Sequence, residues 1–136
     1  MLKLSKSVEY SLLALLYISE QNNNSLLSSK LISEKLDIPY ELLSKLLQKM
    51  VKKEIIKSEQ GKYGGYRLLI PLKKLTISDI ITAIDENIQI ADCTFPEATK
   101  KNCNKIDSCK IKTPFNIIQN KIIGIFESVT LEQLSK

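Results

Sequence analysis

Apolar residues recur at helical spacing near the start of the chain. This repeat runs through residues 7–20 and predicts a first helix, with Ser5 or Ser7 as its N-cap. The polar run QNNNS that follows, residues 21–25, predicts a loop. The apolar positions of the predicted helix are Val8, Leu12, Leu15 and Leu16.

Two further helices with a tight turn between them are predicted next. The second runs from about Ser28 to Leu36, and the triplet DIP ends it because proline disfavours helical geometry in the residue before it. The third starts at Pro39, a residue well suited to a first helical position. Its broad apolar stripe consists of Leu42, Leu43, Leu46, Leu47, Met50 and Val51. Its opposite face consists of Glu41, Ser44, Lys45, Gln48, Lys49 and Lys52.

Such a helix pair, with a lysine-rich outer face on its second helix, is typical of a helix-turn-helix that enters the major groove of DNA. An ordinary solvated face of a helical bundle is the alternative. The next stretch, IIKSEQGKYGGYRLLIP, has β-rich runs on both sides of a glycine-containing loop and predicts a hairpin, or wing. Three helices followed by a wing favour nucleic-acid binding over a generic bundle. The wing side chains able to reach phosphates or a minor groove are Gln60, Lys62, Tyr63 and Arg67.

The C-terminal part has two more predicted helices. The stretch LTISDIITAIDEN predicts a short helix capped at Ser78, and residues 113–129 predict a longer one with Thr113 as cap and Pro114 at its first position. The longer helix is apolar on more than one face, because Ile117 and Ile123 lie off its main stripe. Packing on the protein's own domain and on a second copy explains this, so a homodimer is predicted; burial within one core is the alternative. The stripe consists of Phe115, Ile118, Ile122, Ile125, Phe126 and Val129.

Composition limits the class of protein. A chain of 136 residues forms one domain, and no signal peptide or membrane-length apolar run stands out, so a cytoplasmic protein without a membrane partner is expected. The formal charge of +5 suits a polyanionic partner, although many lysine-rich proteins share it. Arg67 is the one arginine, and a solvent-facing strand position is its alternative role.

All three cysteines lie in residues 93–109, and the chain has no histidine. Nine residues separate Cys93 from Cys103 and five separate Cys103 from Cys109, in a segment whose proline, asparagines and aspartate predict a flexible loop. Thiolates bind zinc and iron–sulfur clusters, but this spacing differs from the close pairs of a structural zinc site. A redox disulfide is a further possibility. A thiol enzyme is the competing class, since lysines that could activate a thiol surround the cysteines: Lys100, Lys101, Lys105 and Lys110.

Several stretches together resemble one family of regulators. They are LSKSVEYSLLAL, SSKLISEKLDIPYELLSKLLQKM, GKYGGYRL, LTISDIITAIDE, the three cysteines and the ending SVTLEQL. In this order and spacing the chain resembles the Rrf-two family of bacterial winged-helix regulators over nearly its whole length. The resemblance implies a fold that is mainly α with a small β wing, built as a winged helix-turn-helix domain plus a long C-terminal dimerisation helix. It implies a homodimeric transcription factor, expected to be a repressor, and not an enzyme.

For members with three cysteines the resemblance also implies an iron–sulfur cluster that controls DNA binding, with [2Fe-2S] favoured and [4Fe-4S] possible. Cys93, Cys103 and Cys109 would be its ligands. IscR-like members add a histidine, but the corresponding residue is Lys112, whose protonated amine has no lone pair to donate. NsrR-like members add an acidic residue from the first helix of the other subunit, which corresponds to Glu9 here. The helix dipole favours a carboxylate near a helix N-terminus, and this alone is a sufficient reason for Glu9. Other candidates for the fourth ligand are Asp92, Glu97, Asp107, water and a small thiol.

The partner implied by this interpretation is double-stranded DNA with an inverted repeat, because a two-fold dimer presents two recognition helices. Its half-sites are expected to lie about 34 Å, one helical turn, or a multiple of that distance apart. Residues near the N-terminal end of the third helix are predicted to read bases, and lysines further along to meet phosphates. The predicted DNA-binding residues are Ser28, Pro39, Tyr40, Glu41, Ser44, Lys45, Lys49, Lys52, Gln60, Lys62, Tyr63 and Arg67. Within one domain, 1–136, the predicted parts are the winged helix-turn-helix (1–75), a linker helix (76–92), the cysteine loop (93–109) and the dimerisation helix with C-terminal tail (113–134).

Overall fold

The computed structural model describes residues 2–21, 26–85, 87–94 and 97–135. These residues are mostly helical and include a small two-stranded antiparallel sheet, as predicted. None of their helices is long and apolar enough to cross a membrane. The elements are α1 (Lys6–Glu20), α2 (Ser29–Leu36), α3 (Tyr40–Lys52), β1 (Ile56–Glu59), β2 (Gly65–Leu68), α4 (Ile77–Asp85), α5 (Lys112–Ser128) and α6 (Leu131–Leu134), with 3₁₀ turns at Leu72–Lys74 and Asp92–Thr94.

Helix α1 starts as predicted. The Ser5 hydroxyl accepts a hydrogen bond from the Val8 backbone N–H at 3.2 Å, which makes Ser5 rather than Ser7 the N-cap. The helix ends at Glu20, and the backbone N–H of Gln21 still donates to the carbonyl of Tyr17. Most of the loop predicted at 21–25, residues 22–25, lies outside the described residues.

The turn between α2 and α3 has a specific backbone geometry. Ser28 caps α2 by accepting from the Leu31 N–H at 3.1 Å. At the other end Asp37 adopts the left-handed conformation, with φ of 54°. The Ser33 hydroxyl donates to the Ile38 carbonyl at 2.6 Å and holds the turn closed. Pro39 occupies the N-cap position, so α3 begins one residue later than predicted.

The wing is packed on the body of the protein by a third extended segment. Ile56 pairs with Leu68 and Glu59 with Gly65 in the β1–β2 hairpin, and Leu27 forms an additional antiparallel bridge with Tyr66. A Cβ at Gly65 would lie 2.6 Å from the Leu27 backbone, so only glycine permits this close approach. Gly65 is therefore required for a contact inside the protein.

One hydrophobic core joins α1, α3, α4 and the base of the wing. The stripe predicted for α3 is largely correct, since its central members are buried while Leu42 and Val51 are half-buried at its edges. This core fixes α3 in place because one face of the helix is fully covered. Its largest fully buried apolar side chains are Val8, Leu15, Ile32, Leu43, Leu47, Met50, Ile56, Leu75, Ile80 and Leu131.

Two predicted caps in the C-terminal part are wrong. Ser78 is buried inside α4, which is capped instead by Thr76: the Asp79 N–H donates to the Thr76 hydroxyl, and the Thr76 N–H donates to the Asp79 carboxylate at 2.9 Å. Thr113 lies inside α5, which starts at Lys112 and has no side-chain cap. The predicted N-caps were wrong because the sequence does not distinguish a serine or threonine inside a helix from one at the N-cap position.

The long C-terminal helix also ends earlier than predicted. Helix α5 stops at Ser128, and a short α6 follows whose Thr130 and Gln133 form a reciprocal capping box. Within α5 the predicted apolar stripe divides between two environments. Phe126 packs against the core, whereas Ile118 and Ile125 are 45% and 61% exposed. The only buried residue of α5 is polar, Gln119.

Candidate DNA-binding surface and cysteine segment

The N-terminal end of α3 presents side chains to solvent beside the start of α2. Tyr40, Glu41 and Lys45 are exposed. A hydrogen bond with the Ser29 hydroxyl is the main reason why the pKa of the Tyr40 phenol lies below its usual range. Ser44, predicted to read bases, lies next to this phenol and lowers the same pKa further. Its Oγ is nevertheless covered from solvent and has no hydrogen bond of good geometry, so contact with a base would require it to rotate.

The lysines of α3 are not equivalent. The Lys49 ammonium donates to the backbone carbonyl of Ile84 at 3.2 Å, at the C-terminal end of α4, where a positive charge also complements the helix dipole. Lys52 and Lys45 are exposed and form no ion pair among the described residues. A contact from Lys49 to a phosphate would therefore compete with, or add to, its contact with α4.

The wing tip has the most exposed aromatic side chain of the predicted DNA-binding set. Tyr63 is 82% exposed, and the Lys62 ammonium lies 5.6 Å from its ring centre. Gln60 is also exposed. Arg67 lies further back on β2 and forms an ion pair with Glu59 at 3.5 Å, so part of its charge is already compensated.

Glu9 lies in the first turn of α1 and is paired within its own helix. Its carboxylate is 2.9 Å from the Lys6 ammonium, and both groups are solvent-exposed enough for this pair to be weak. The pKa of Lys6 is raised by its hydrogen bond to Glu9. Next to this turn, the Ser5 hydroxyl donates to the Asp85 carboxylate at 2.8 Å, which fastens the start of α1 to the end of α4.

The cysteine segment contains three free thiols in different environments. Cys93 is buried in the 3₁₀ turn Asp92–Thr94, while Cys103 and Cys109 are half-buried. Three thiols are a chemically suitable donor set for an iron–sulfur cluster. Across the described ranges, no three cysteine, aspartate or glutamate side chains converge as a metal site requires.

Local contacts shape the rest of the segment, of which Phe95 and Pro96 lie outside the described residues. The Thr99 N–H donates to the Asn102 side chain at 2.9 Å, and the Cys103 N–H donates to the Thr99 carbonyl. Asp107, one candidate for a fourth ligand, forms an exposed ion pair with Lys100 at 3.2 Å. These turns join residues close in sequence, and within them Ile106 is buried.

One side chain connects the cysteine segment to α5, and the sequence analysis missed it. Gln119 accepts a hydrogen bond from the Ile90 N–H at 2.8 Å and donates to the Thr94 carbonyl at 3.0 Å. Thr94 directly follows Cys93 in the chain. The only sequence signal for this role is a glutamine one residue away from an apolar stripe, which is equally typical of a surface position.

Comparisons with known proteins agree with this architecture. Residues 4–136 match the model of the Rrf2 family, described as an iron-dependent transcriptional regulator. The HTH-type transcriptional regulator NsrR of Oceanobacillus iheyensis is 26% identical over 135 residues, which cover 99% of this chain and 90% of that protein.

Two solved structures have the same fold. IscR of T. potens has a TM-score of 0.74 and is 21% identical. The match covers 98% of this chain and 85% of the IscR chain. The oxidized form of CymR from Staphylococcus aureus has a TM-score of 0.72 and is 21% identical. The match covers 99% of this chain and 97% of the CymR chain. Winged-helix architecture, family match and regulator relatives lead to one conclusion, which confirms the resemblance seen in the sequence: the chain belongs to the Rrf2 family of transcriptional regulators and is not an enzyme.

Proposed function

We propose that the protein is a homodimeric repressor whose binding to an inverted-repeat operator is controlled by an iron–sulfur cluster on Cys93, Cys103 and Cys109. The observation that carries this proposal is the place of the three free thiols. All lie in one segment, and that segment is attached through Gln119 to α5, the helix with exposed apolar residues. The NsrR and IscR relatives support a cluster as the signal-dependent ligand.

DNA binding is proposed for the exposed end of α3 together with the wing tip. Tyr40, Glu41 and Lys45 are exposed and are proposed to read base edges, because the N-terminal part of a recognition helix reaches furthest into the major groove. Lys52 and Lys62 are exposed and are proposed to meet phosphates. Two such surfaces on a two-fold dimer would be about 34 Å apart, one turn of DNA.

The dimer is proposed to form along α5. Ile111, Phe115, Ile118, Ile122, Ile125 and Val129 follow one another at alternating spacings of four and three residues. That alternation is the repeat of a coiled-coil seam, and it brings the members within α5, Phe115, Ile118, Ile122 and Ile125, to one side of the helix. Ile111 and Val129 lie just beyond its two ends. Ile111, Ile118 and Ile125 are also the most exposed members, so a partner helix would cover them.

A cluster would supply an iron centre that responds to iron supply, oxidants or nitric oxide. The protein's own contribution is the segment 93–109, which would have to bring Cys103 and Cys109 to Cys93. A ligand shifts an equilibrium only as far as it binds one conformation better than the other. The separated thiols described here and a segment gathered around a ligand are two such conformations, and we propose that operator affinity differs between them.

The fourth ligand is proposed to be Glu9 of the second subunit. Its present contact, an exposed pair with Lys6, costs little to break. Glu9→Ala is expected to make the cluster less stable. Mixing this variant with a cysteine variant is expected to restore one site per heterodimer, because each chain then supplies what the other lacks. An unchanged cluster in Glu9→Ala would assign the fourth position to a different ligand.

Anaerobic purification followed by iron and sulfide analysis tests the cluster directly. The wild-type protein should be brown and contain iron and sulfide, and Cys103→Ala should lose both while remaining a folded dimer. Ser108→Ala, an exposed change in the same segment, is the matched control and should keep the cluster. Iron retained at the wild-type ratio in single alanine variants of all three cysteines would contradict the proposal.

A thiol switch without a cluster is the second candidate. It is favoured by the three free cysteines, which are not gathered as metal ligands, and by the CymR neighbour, whose structure is an oxidized form. In this case two thiols would form a disulfide, with two electrons passing to an oxidant such as a peroxide. Colourless anaerobic protein whose DNA affinity changes with added reductant would favour the switch over the cluster.

A further inference from the structure

The turn that contains Cys93 is closed by its own hydrogen bonds. The Thr94 N–H donates to the Ala91 carbonyl at 3.1 Å, and the Thr94 hydroxyl donates to the same carbonyl at 2.7 Å. The Ala91 N–H in turn donates to the Thr94 hydroxyl at 3.2 Å. Cys93 lies between these two residues and is 8% exposed. Ala91 to Thr94 therefore form a compact turn that contains the buried Cys93.

The Gln119 side chain forms a hydrogen bond at each end of this turn. Its side-chain oxygen accepts from the Ile90 N–H, immediately before the turn, and its side-chain nitrogen donates to the Thr94 carbonyl, at the end of the turn. Gln119 is 6% exposed, so neither group can readily exchange its partner for water. Removing either bond would leave a buried polar group without a partner, which costs more than the bond itself contributes.

We propose that Gln119 is a positioning residue for Cys93: it holds the turn against α5 and keeps the thiol covered until the segment rearranges. This inference rests on the proposed sensory role of the cysteine segment. The hydrogen bonds of Cys103 and Cys109 are local in sequence, including the one in which the Cys109 carbonyl accepts from the Lys112 N–H at the start of α5. Beside Cys93, by contrast, the Thr94 carbonyl is bonded to the middle of α5 across 25 residues of the chain.

The consequence for α5 follows from hydrogen-bond satisfaction. If Cys93 moves towards a ligand or a second thiol, the Thr94 carbonyl moves with it and the Gln119 amide loses its acceptor. The neighbouring residue, Ile118, lies on the exposed seam proposed to form the dimer. A change in the cysteine segment thus reaches the proposed interface through one side chain with two discrete states, bonded and unbonded.

The test uses the full chain with Cys103→Ser and Cys109→Ser, so that Cys93 is the only thiol. Two variants of Gln119 separate its two bonds. Gln119→Met is close in size and removes both bonds. Gln119→Glu keeps an acceptor for the Ile90 N–H, but as a carboxylate it has no hydrogen to donate to the Thr94 carbonyl. Asn120→Met, an exposed neighbour on α5, is the matched control.

Two rates are measured under reducing conditions: alkylation of Cys93 by mass spectrometry and hydrogen exchange of the Ile90 amide by NMR. In Gln119→Met both should rise at least about tenfold, since buried groups lose their partners. In Gln119→Glu alkylation should rise similarly while Ile90 exchange stays within about twofold of the parent protein, because only the donor is lost. Asn120→Met should change neither rate.

Equal rates in all four proteins would overturn the proposal. So would a parallel rise of both rates in Gln119→Met and Gln119→Glu, since that is the result of general loosening. None of these measurements requires iron or DNA. If the protein gives the expected rates but never binds a cluster or an operator, the proposed function is refuted and the positioning role of Gln119 stands. If it is a cluster-binding regulator but does not give these rates, the positioning role is refuted and the proposed function stands.

Discussion

The winged-helix part and the C-terminal part of this chain are stabilised in different ways. Among the described residues, only Cys93, Ile106 and Leu131 of the buried apolar side chains come after Ile84. The first part therefore has the hydrophobic core, while the segment 93–109 and α5 are held by hydrogen bonds, local turns and edge contacts. Local opening requires least free energy where few apolar contacts are broken. This difference suits the proposed roles of the two parts, a rigid DNA-binding surface and a sensor segment that can rearrange.

The two parts meet at both ends of α4. At its start, Thr76 forms an antiparallel bridge with Thr130. At its end, Lys49 of α3 donates to the Ile84 carbonyl, and Ser5 at the start of α1 donates to Asp85. From there the chain continues through residues 87–91 into the turn held by Gln119. The end of α4 is thus in contact with both α3, the proposed recognition helix, and the start of the segment that leads to the cysteines.

The largest expected effect tests the core of the first part. Leu47→Ala should lower the free energy of unfolding by roughly 2–5 kcal/mol, because Leu47 is completely buried and its removal leaves a cavity. Urea denaturation followed by circular dichroism measures it. Ile106→Ala in the cysteine segment is the comparison. It should lower the free energy of unfolding by clearly less, since Ile106 is not part of the main core. Equal losses would remove the distinction between the two parts.

The next effect concerns the exposed seam of α5. Ile125→Asp should weaken the dimer by about 2 kcal/mol or more, roughly thirtyfold in Kd, if this side chain is central to the interface. Analytical ultracentrifugation across a range of concentrations measures it. The thermal stability of the monomer should hardly change, because Ile125 is 61% exposed within one chain. Asn120→Asp on another face of α5 is the control; a dimer unaffected by Ile125→Asp would place the interface elsewhere.

A smaller effect is expected at the junction of the two parts. Lys49→Ala should lower the free energy of unfolding by roughly 0.5–1 kcal/mol, because it removes a charged donor from the C-terminal end of α4. Lys52→Ala, an exposed lysine on the same helix, should leave stability nearly unchanged. If both variants unfold alike, the contact between Lys49 and Ile84 contributes nothing measurable.

The smallest effect concerns the wing. Lys62→Ala should reduce the slope of log affinity against log salt concentration by about 1 for each lost phosphate contact, and weaken binding to all sequences alike. Fluorescence anisotropy with duplex DNA at several salt concentrations measures it. Lys45→Ala should instead change which bases are preferred. An unaltered slope for Lys62→Ala together with an unaltered preference for Lys45→Ala would show that DNA contacts another surface.

Local patterns in the sequence determined most of the first part. The apolar stripe of α3, the break at Asp37–Pro39 and the hairpin around the wing glycines each follow from residue types a few positions apart. Their physical causes, helical periodicity, proline sterics and turn conformation, act over short distances in the chain. The sequence therefore predicted the elements and their order, and with the family resemblance it predicted the fold.

Only the tertiary structure decided which polar groups have partners and which apolar ones do not. Gln119 reaches Ile90 and Thr94 over 29 and 25 residues of separation, Lys49 reaches Ile84 over 35, and Ser44 is covered by its surroundings. For the same reason, Phe126 of the α5 stripe packs against the core while Ile118 and Ile125 are exposed. Periodicity places residues on one face of a helix but does not say what covers that face. Burial and hydrogen-bond satisfaction depend on neighbours brought together by folding, and these neighbours are distant in the sequence.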